Sequence, residues 1–285
     1  MNKKKIYSNW FVVPAMVIFT VFFLLPMVIS FFFSLTVWDF NSFTFCGFDN
    51  FKSYFSDESL YSSITNTLIY AVLTCGLKLI LAFFLAVFLT SKIKTKNLLR
   101  SVVFFPNLIS TVAVGITFCA LMHPSKGLFN QVIEFFGGQG ADWLGNTSTA
   151  LYAVIFTDVW KGVGVATVIF IAGMQSIDKT YYEAAEIDGA NGWQRLKNIT
   201  VPLSRPAMNS VIILAFISGM RTFDLIWAMT GGGPGFATEV MASTVYKQYA
   251  AGYYGLSTAG NVIMFIVIAV LAFPLQRFLL SKEVD

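Results

Sequence analysis

Five charged side chains fall inside otherwise apolar stretches of this chain: Lys78, Asp158, Lys161, Arg221 and Asp224. A charge at the centre of a membrane helix costs about 2.5–3.5 kcal/mol on insertion scales, so each is expected to face inward and to have a partner. Spacing suggests the partners. Asp158 and Lys161 stand at i, i+3, as do Arg221 and Asp224, and each couple can neutralise itself on one helical face. Lys78 lies on a stripe with Ala71, Cys75, Ala82 and Ala86, where small side chains permit close helix packing, and should point into the bundle too. Such charges either hold helices together or line a solute path. Beside the second couple, Ala215, Ser218, Gly219 and Thr222 recur at i, i+3, i+4 and i+7, a face that would leave a cleft open.

Catalysis has little to draw on. The only histidine, His123, stands beside Pro124 at a predicted helix end and reads as a loop residue. Cys46, Cys75 and Cys119 are odd in number, with no CxxC pair, so neither a disulfide framework nor a zinc site is indicated. Cys75 and Cys119 sit in apolar runs, where a thiol packs as a small side chain. The run Gly231, Gly232, Gly233, Pro234, Gly235 lacks the G-x-x-x-x-G-K-[ST] spacing of a phosphate loop, and that motif is absent from the chain. If ATP drives this protein, another subunit binds it. No catalytic residue, bound cofactor or metal ligand is assigned, an enzyme ranks last among the readings, and no basic tract suits nucleic acid.

What must position these residues is a bilayer. Hydrophobic residues make up 56% of the chain and charged residues 12%, against roughly 45–50% and 25% in soluble domains. Six apolar stretches, near residues 11–37, 65–90, 101–122, 149–174, 207–229 and 256–280, reach the length of about 20 residues that a helical span needs. The prediction is an all-α integral membrane fold of six helices in one domain over residues 1–285. Lys3, Lys4 and Lys5 precede the first stretch, but its apolar run is far longer than a signal-peptide core and no A-x-A site follows. It reads as an uncleaved span.

Basic residues set the orientation. With the N-terminus in the cytoplasm, the cytoplasmic segments hold Lys3, Lys4, Lys5, Lys92, Lys94, Lys96, Arg100, Lys179, Arg195, Lys197, Arg205, Arg277 and Lys282. The outer loops then hold only Lys52, Lys126 and Lys247. Both termini are therefore expected on the cytoplasmic side, and the glycine run, which must break the fifth helix, on the outer side.

The longest cytoplasmic segment, residues 175–206, reads as two short helices. Asp178 can cap the first, Gly189 can end it in the left-handed conformation, and Asn191 can cap a second through Lys197, stopped at Pro202. By itself this is either a docking handle for a soluble partner or a structured linker. Its residues go further. Glu183-Ala184-Ala185, then Gly189, then Ile199-x-Val201-Pro202 resembles the EAA signature of ABC-importer permeases. Trp160-Lys161-Gly162-Val163-Gly164, Phe223-Asp224-Leu225-Ile226, the stretch from Thr230 to Pro234, and Gly47-Phe48-Asp49-Asn50-Phe51 are similar to the binding-protein-dependent sugar-permease branch, of maltose and multiple-sugar type. Two departures are small: Val201 replaces the usual Leu before Pro202, and Ser204-Arg205 follows where Leu is frequent.

The resemblance implies a type I importer in a bacterial cytoplasmic membrane. A second homologous permease would complete the pathway, two cytoplasmic ATPase subunits would drive it, and an external binding protein would deliver the sugar. It assigns ATPase coupling to Glu183, Ala184, Ala185, Gly189 and Pro202. It also places substrate contacts at the positions of Lys161, Gly162, Val165, Ala215, Ser218, Gly219 and Thr222. At Val165, Ser218 and Gly219 this chain lacks the bulky or amide side chains of maltose-type relatives, which leaves either a wider pocket or contacts supplied by the partner permease. The competing readings are a self-sufficient secondary transporter or channel, disfavoured by the EAA-like loop and the lack of a readable inverted repeat, and an ABC permease for a non-sugar solute.

Overall fold

A computed structural model describes residues 9–39, 41–91 and 93–282. Lys3, Lys4, Lys5 and Lys92, used above to set orientation, lie outside the described residues. In chain order the helices are α1 (Trp10–Phe33), α2 (Asp49–Ser56), α3 (Glu58–Thr90), α4 (Lys96–Leu108), α5 (Thr111–Leu121), α6 (Leu128–Phe135), α7 (Ala150–Gln175), α8 (Lys179–Ile187), α9 (Gly192–Leu203), α10 (Arg205–Met220), α11 (Asp224–Met229), α12 (Met241–Ala250) and α13 (Tyr254–Leu280). A two-stranded hairpin, β1 (Thr36–Trp38) with β2 (Phe43–Phe45), follows α1. Helices α1, α3, α7 and α13 are each long and apolar enough to cross a membrane, while α4 with α5 and α9 with α10 qualify as bent pairs. Counting each pair once gives up to six candidate spans by length and composition.

The contacts divide the chain into two compact units: the chain up to Leu60 with Thr244–Ile266, and Tyr61–Ser243 with the chain from Val267 onward. In the first, the hairpin pairs Thr36 with Phe45 and Trp38 with Phe43. Asp39 Oδ1 accepts from the amides of Ser42 and Asn41 at its turn, and these bonds hold its carboxyl below the usual carboxylate range. Buried Asn50 donates to the carbonyls of Ser34 and Thr36, both at 2.9 Å, so the polar backbone beyond α1 is satisfied. Gly255 is required here, because a Cβ would overlap the Thr36 carbonyl.

The second unit has two apolar cores along its length. One gathers Tyr70, Val114, Phe118, Val154, Ile155 and Ile226. The other gathers Ala82, Ala86, Phe170, Met174, Ala207 and Val211. Small residues bring the helices together: a Cβ on Gly164 would strike the backbone of Val103 and Phe104, and one on Gly173 the Cβ of Ala207. Between the two cores, at the level of Lys78 and Asp158, the interior is polar.

Three local departures from the expected helices have physical causes. The third span, predicted unbroken over 101–122, bends by 97° between α4 and α5. Pro106 weakens the end of α4, and Ile109 and Ser110 turn extended, with ψ of 142° and 133°. The fifth span, predicted unbroken over 207–229, stops at Met220 and resumes at Asp224. Pro202, expected to stop the second cytoplasmic helix, instead lies within α9. A π-turn at Leu196–Thr200 precedes it, with the Val201 amide bonded to the Leu196 carbonyl. The same device, a π-turn at Thr20–Leu24 followed by Leu25 and Pro26, occurs in α1. Widening the turn relieves the clash between the proline ring and the carbonyl four residues back. The chain then bends by 63° at Ser204 into α10.

Candidate functional site

The polar layer is organised by one ion pair. Lys78 Nζ, on α3, lies 2.7 Å from Asp158 Oδ2, on α7. Gly162 makes the approach possible, since a Cβ there would meet Cε and Nζ of Lys78. Asp158 was expected to pair with Lys161 on its own helix, and that expectation is corrected. A partner from a neighbouring helix reaches Asp158 end-on in the interior, whereas Lys161 would have to fold back along its own helix. Half-buried Lys161 makes no ion pair among the described residues. The expected Arg221–Asp224 pair is likewise absent among them. With helix ended at Met220 and Phe223 at φ −143°, ψ −61°, the i, i+3 geometry that would join the two does not exist.

Around the ion pair lies a cavity of about 250 Å³, into which Lys161, Arg221 and Asp224 also project, with Ser218 and Thr222. Both helix breaks open onto it. Asn107 and Thr111 flank the bend between α4 and α5, and residues 221–223 form the break between α10 and α11. Irregular backbone at membrane depth is tolerated where it lines such a cavity, because groups freed from the helix ladder are not left facing lipid. A second hollow of about 320 Å³ adjoins the first. It shares Lys78, Asn107, Gly162 and Ser218 and continues along Val165, Leu214 and Ala215. Lys78 therefore stands at the partition between a charged chamber and a more apolar one. Tyr70 adds a buried hydroxyl near Asp158 and Thr222.

Of the residues assigned to the substrate path, Lys161, Gly162, Val165, Ala215, Ser218 and Thr222 border one or both hollows. Gly219 does not. It is buried against α3, where a Cβ would overlap Ala71 Cα and crowd Thr74, so it is a packing glycine between two helices. Asn107 and Thr111 were missed by the sequence reading. The signal was Pro106, a proline inside a predicted span next to a polar residue. No cluster of three or more His, Cys, Asp or Glu side chains suited to a metal occurs among the described residues.

The segment carrying the EAA-like residues folds from local signals. The Asp178 side chain accepts from the Thr180 amide at 2.9 Å, capping α8, and that bond holds its carboxyl below the usual range. Gly189 takes φ +76° beyond the end of α8. Asn191 and Gln194 form a reciprocal capping box at the start of α9. Tyr182 Oη and Thr200 Oγ1, 3.0 Å apart, tie α8 to α9, and Arg195 reaches Glu186 at 3.7 Å. Glu183 and Ala184 remain exposed, with Ala185 half-buried, and Glu183 has no ion pair among the described residues.

A mostly helical membrane fold with broken helices around a polar cavity, and a capped helix pair carrying the EAA-like residues, has the features of a solute permease. Residues 78–283 match the family of binding-protein-dependent transport system inner membrane components, and the chain belongs to it. It is 32% identical over 259 residues to the trehalose/maltose transport system permease protein MalF of Thermococcus litoralis, covering 90% of this chain and 88% of that one. Its fold is that of ABC importer permeases. A bacterial ABC transporter that imports the acidic polysaccharide alginate matches with a TM-score of 0.82 at 22% identity, over 95% of this chain and 94% of that chain. A bacterial alginate transporter in complex with a periplasmic protein carrying an alginate pentasaccharide matches at 0.79 and 22%, over 94% and 91%.

Proposed function

We propose that this chain, acting as one permease domain over residues 1–285, is the sugar-translocating subunit of an ATP-driven importer and supplies half of its pathway. The observation that carries the reading is the charged cavity at membrane depth, entered by two broken spans and bordered by Lys161, Arg221, Ser218 and Thr222. Hydroxyl and charged groups of this kind suit a polyhydroxylated solute. The likeness to a trehalose/maltose permease and to alginate importers supports a saccharide. A second homologous permease would close the open side of the cavity, and an extracytoplasmic sugar-binding protein would load it, as the alginate complex suggests. The subunit itself is non-catalytic and holds no cofactor. Two cytoplasmic ATPase subunits bind ATP and engage α8 through Glu183, Ala184 and Ala185, while Gly189 and the Pro202 segment set the angle of α9.

This function requires both termini, α8 and α9 in the cytoplasm of a bacterial cell membrane, the orientation favoured by the basic residues. Cysteines placed at Ser42, Gly140 and Ala237 should react with an impermeant thiol reagent added to sealed cells, and those at Thr95 and Asn191 should not. External labelling of Asn191 would invert the topology and remove the docking argument. For the pathway itself, Ser218→Trp is expected to abolish uptake of radiolabelled oligosaccharide while assembly and basal ATP hydrolysis continue, because the indole fills the junction of the two hollows. Uptake at the parental rate would take this cavity out of the path.

A further inference from the structure

Helix α6 joins α5 to α7, and the function above makes no use of it. Its inner side is firmly held. The Phe129 ring meets Phe118 of α5 edge-on at 6.1 Å and Phe156 of α7 at 6.2 Å. Asn130, almost fully buried, donates to the carbonyls of Pro124 and Ala141 and accepts from the Ala141 amide and Trp143 Nε1. Both donors and both acceptor positions of that amide are used, so the seat of α6 is fixed rather than adaptable.

These contacts also fix its depth. Phe118 lies one turn inside the end of α5. Phe156 lies six residues inside the start of α7, about 9 Å along the axis at 1.5 Å per residue. Helix α6 therefore rests level with the last turns of two membrane spans and does not stand clear of them. Its outer side is apolar at that level. Leu128, Val132, Phe135 and Phe136 are exposed at i, i+4, i+7 and i+8, the two phenylalanines at 84% and 81%, while Gln131 and Glu134 lie on a separate polar sector. The stripe runs into the exposed aromatic ladder of α7, Tyr152, Phe156 and Trp160, through Phe129.

We propose that α6 is an interfacial membrane anchor. It lies along the headgroup–acyl boundary of the leaflet reached by the end of α5, with Phe135 and Phe136 inserted toward the acyl chains. The argument for lipid as the occupant is continuity and depth: the apolar stripe extends the exposed aromatic face of a membrane-spanning helix, level with the last turns of two spans. A soluble partner would approach from above and meet the polar sector first.

The test uses the assembled transporter in phosphatidylcholine–phosphatidylglycerol nanodiscs, with Cys46, Cys75 and Cys119 replaced by Ser and a nitroxide at Phe135→Cys or Gln131→Cys. Oxygen should relax the label at 135 severalfold more effectively, relative to a soluble nickel chelate, than the label at 131. In the cysteine-intact protein, benzoylphenylalanine at position 135 should crosslink to lipid on illumination. Nickel-dominated relaxation at both positions, with no lipid adduct, would overturn the proposal. So would a nickel-accessible label at 135 that becomes shielded only when sugar-binding protein is added, which would make α6 a protein-docking surface.

Discussion

Lys78→Met is expected to destabilise the permease by about 3 kcal/mol, the low end of the range for stranding one member of a buried charge pair. The low end applies because the Asp158 side chain keeps 22% exposure toward the cavity and is partly solvated there. Asp158→Leu should cost at least as much, since the Lys78 ammonium is the more deeply enclosed partner, at 8%. The combined Lys78→Met, Asp158→Leu variant should recover most of the loss, because neither charge is then left buried and alone. Thermal unfolding of the purified complex in detergent reads all three. A Lys78→Met protein as stable as its parent would show that the pair does not hold α3 to α7. If the double variant is less stable than either single one, the explanation by a stranded charge fails. Its uptake is a separate readout: a folded double variant that still fails to transport would place the ion pair in the path as well as in the scaffold.

The second large effect concerns coupling. Glu183→Lys is expected to release the ATPase from membranes, weakening its binding by roughly two to three orders of magnitude, the scale for breaking a buried interfacial charge pair. The geometry separates Glu183 from its neighbour. Glu186 is engaged by Arg195 within the chain, and loss of so exposed a pair costs about 0–1 kcal/mol, so Glu186→Lys should leave docking nearly intact. Gly189→Pro should act differently again. A proline fixes φ near −65°, where Gly189 stands at +76°, so the angle between α8 and α9 must change while the docking face of α8 survives. That variant is expected to retain bound ATPase and to lose sugar-stimulated hydrolysis, as when a rigid-body coupling is broken at its joint. Co-purification of the ATPase and its hydrolysis rate with loaded binding protein distinguish the three. Wild-type uptake by Glu183→Lys would reduce α8 to a linker.

The segment carrying α8 and α9 was the most legible part of the chain. Asp178, Gly189 and Asn191 were each assigned their roles from sequence and hold them in the structure, because a cap is a contact between residues two or three apart. Its one misreading, Pro202, is also local but depends on a π-turn that no residue pattern announces. The four long spans were equally plain, since hydropathy over about 20 residues is set by the solvent and not by neighbours.

The cavity was legible only in part. Sequence could nominate Ser218 and Gly219 together as adjacent members of a small-residue stripe, yet successive residues on a helix point about 100° apart. Packing against Ala71 turned Gly219 into the helix contact and left Ser218 on the hollow. The charged residues show the same division. Their presence, their depth and their need for partners follow from composition and from the cost of charge in a bilayer. Spacing along one helix could offer Asp158 only Lys161. That Lys78 takes its place was decided by the tertiary structure, where α3 crosses α7 at a residue with no side chain, Gly162, and brings the ammonium to 2.7 Å from the carboxylate. What the chain determined by itself is what depends on neighbours a few residues away or on the solvent as a whole. Which faces meet across helices, and so which charges pair and which stay free for a solute, is settled only when distant segments compete for the same buried volume.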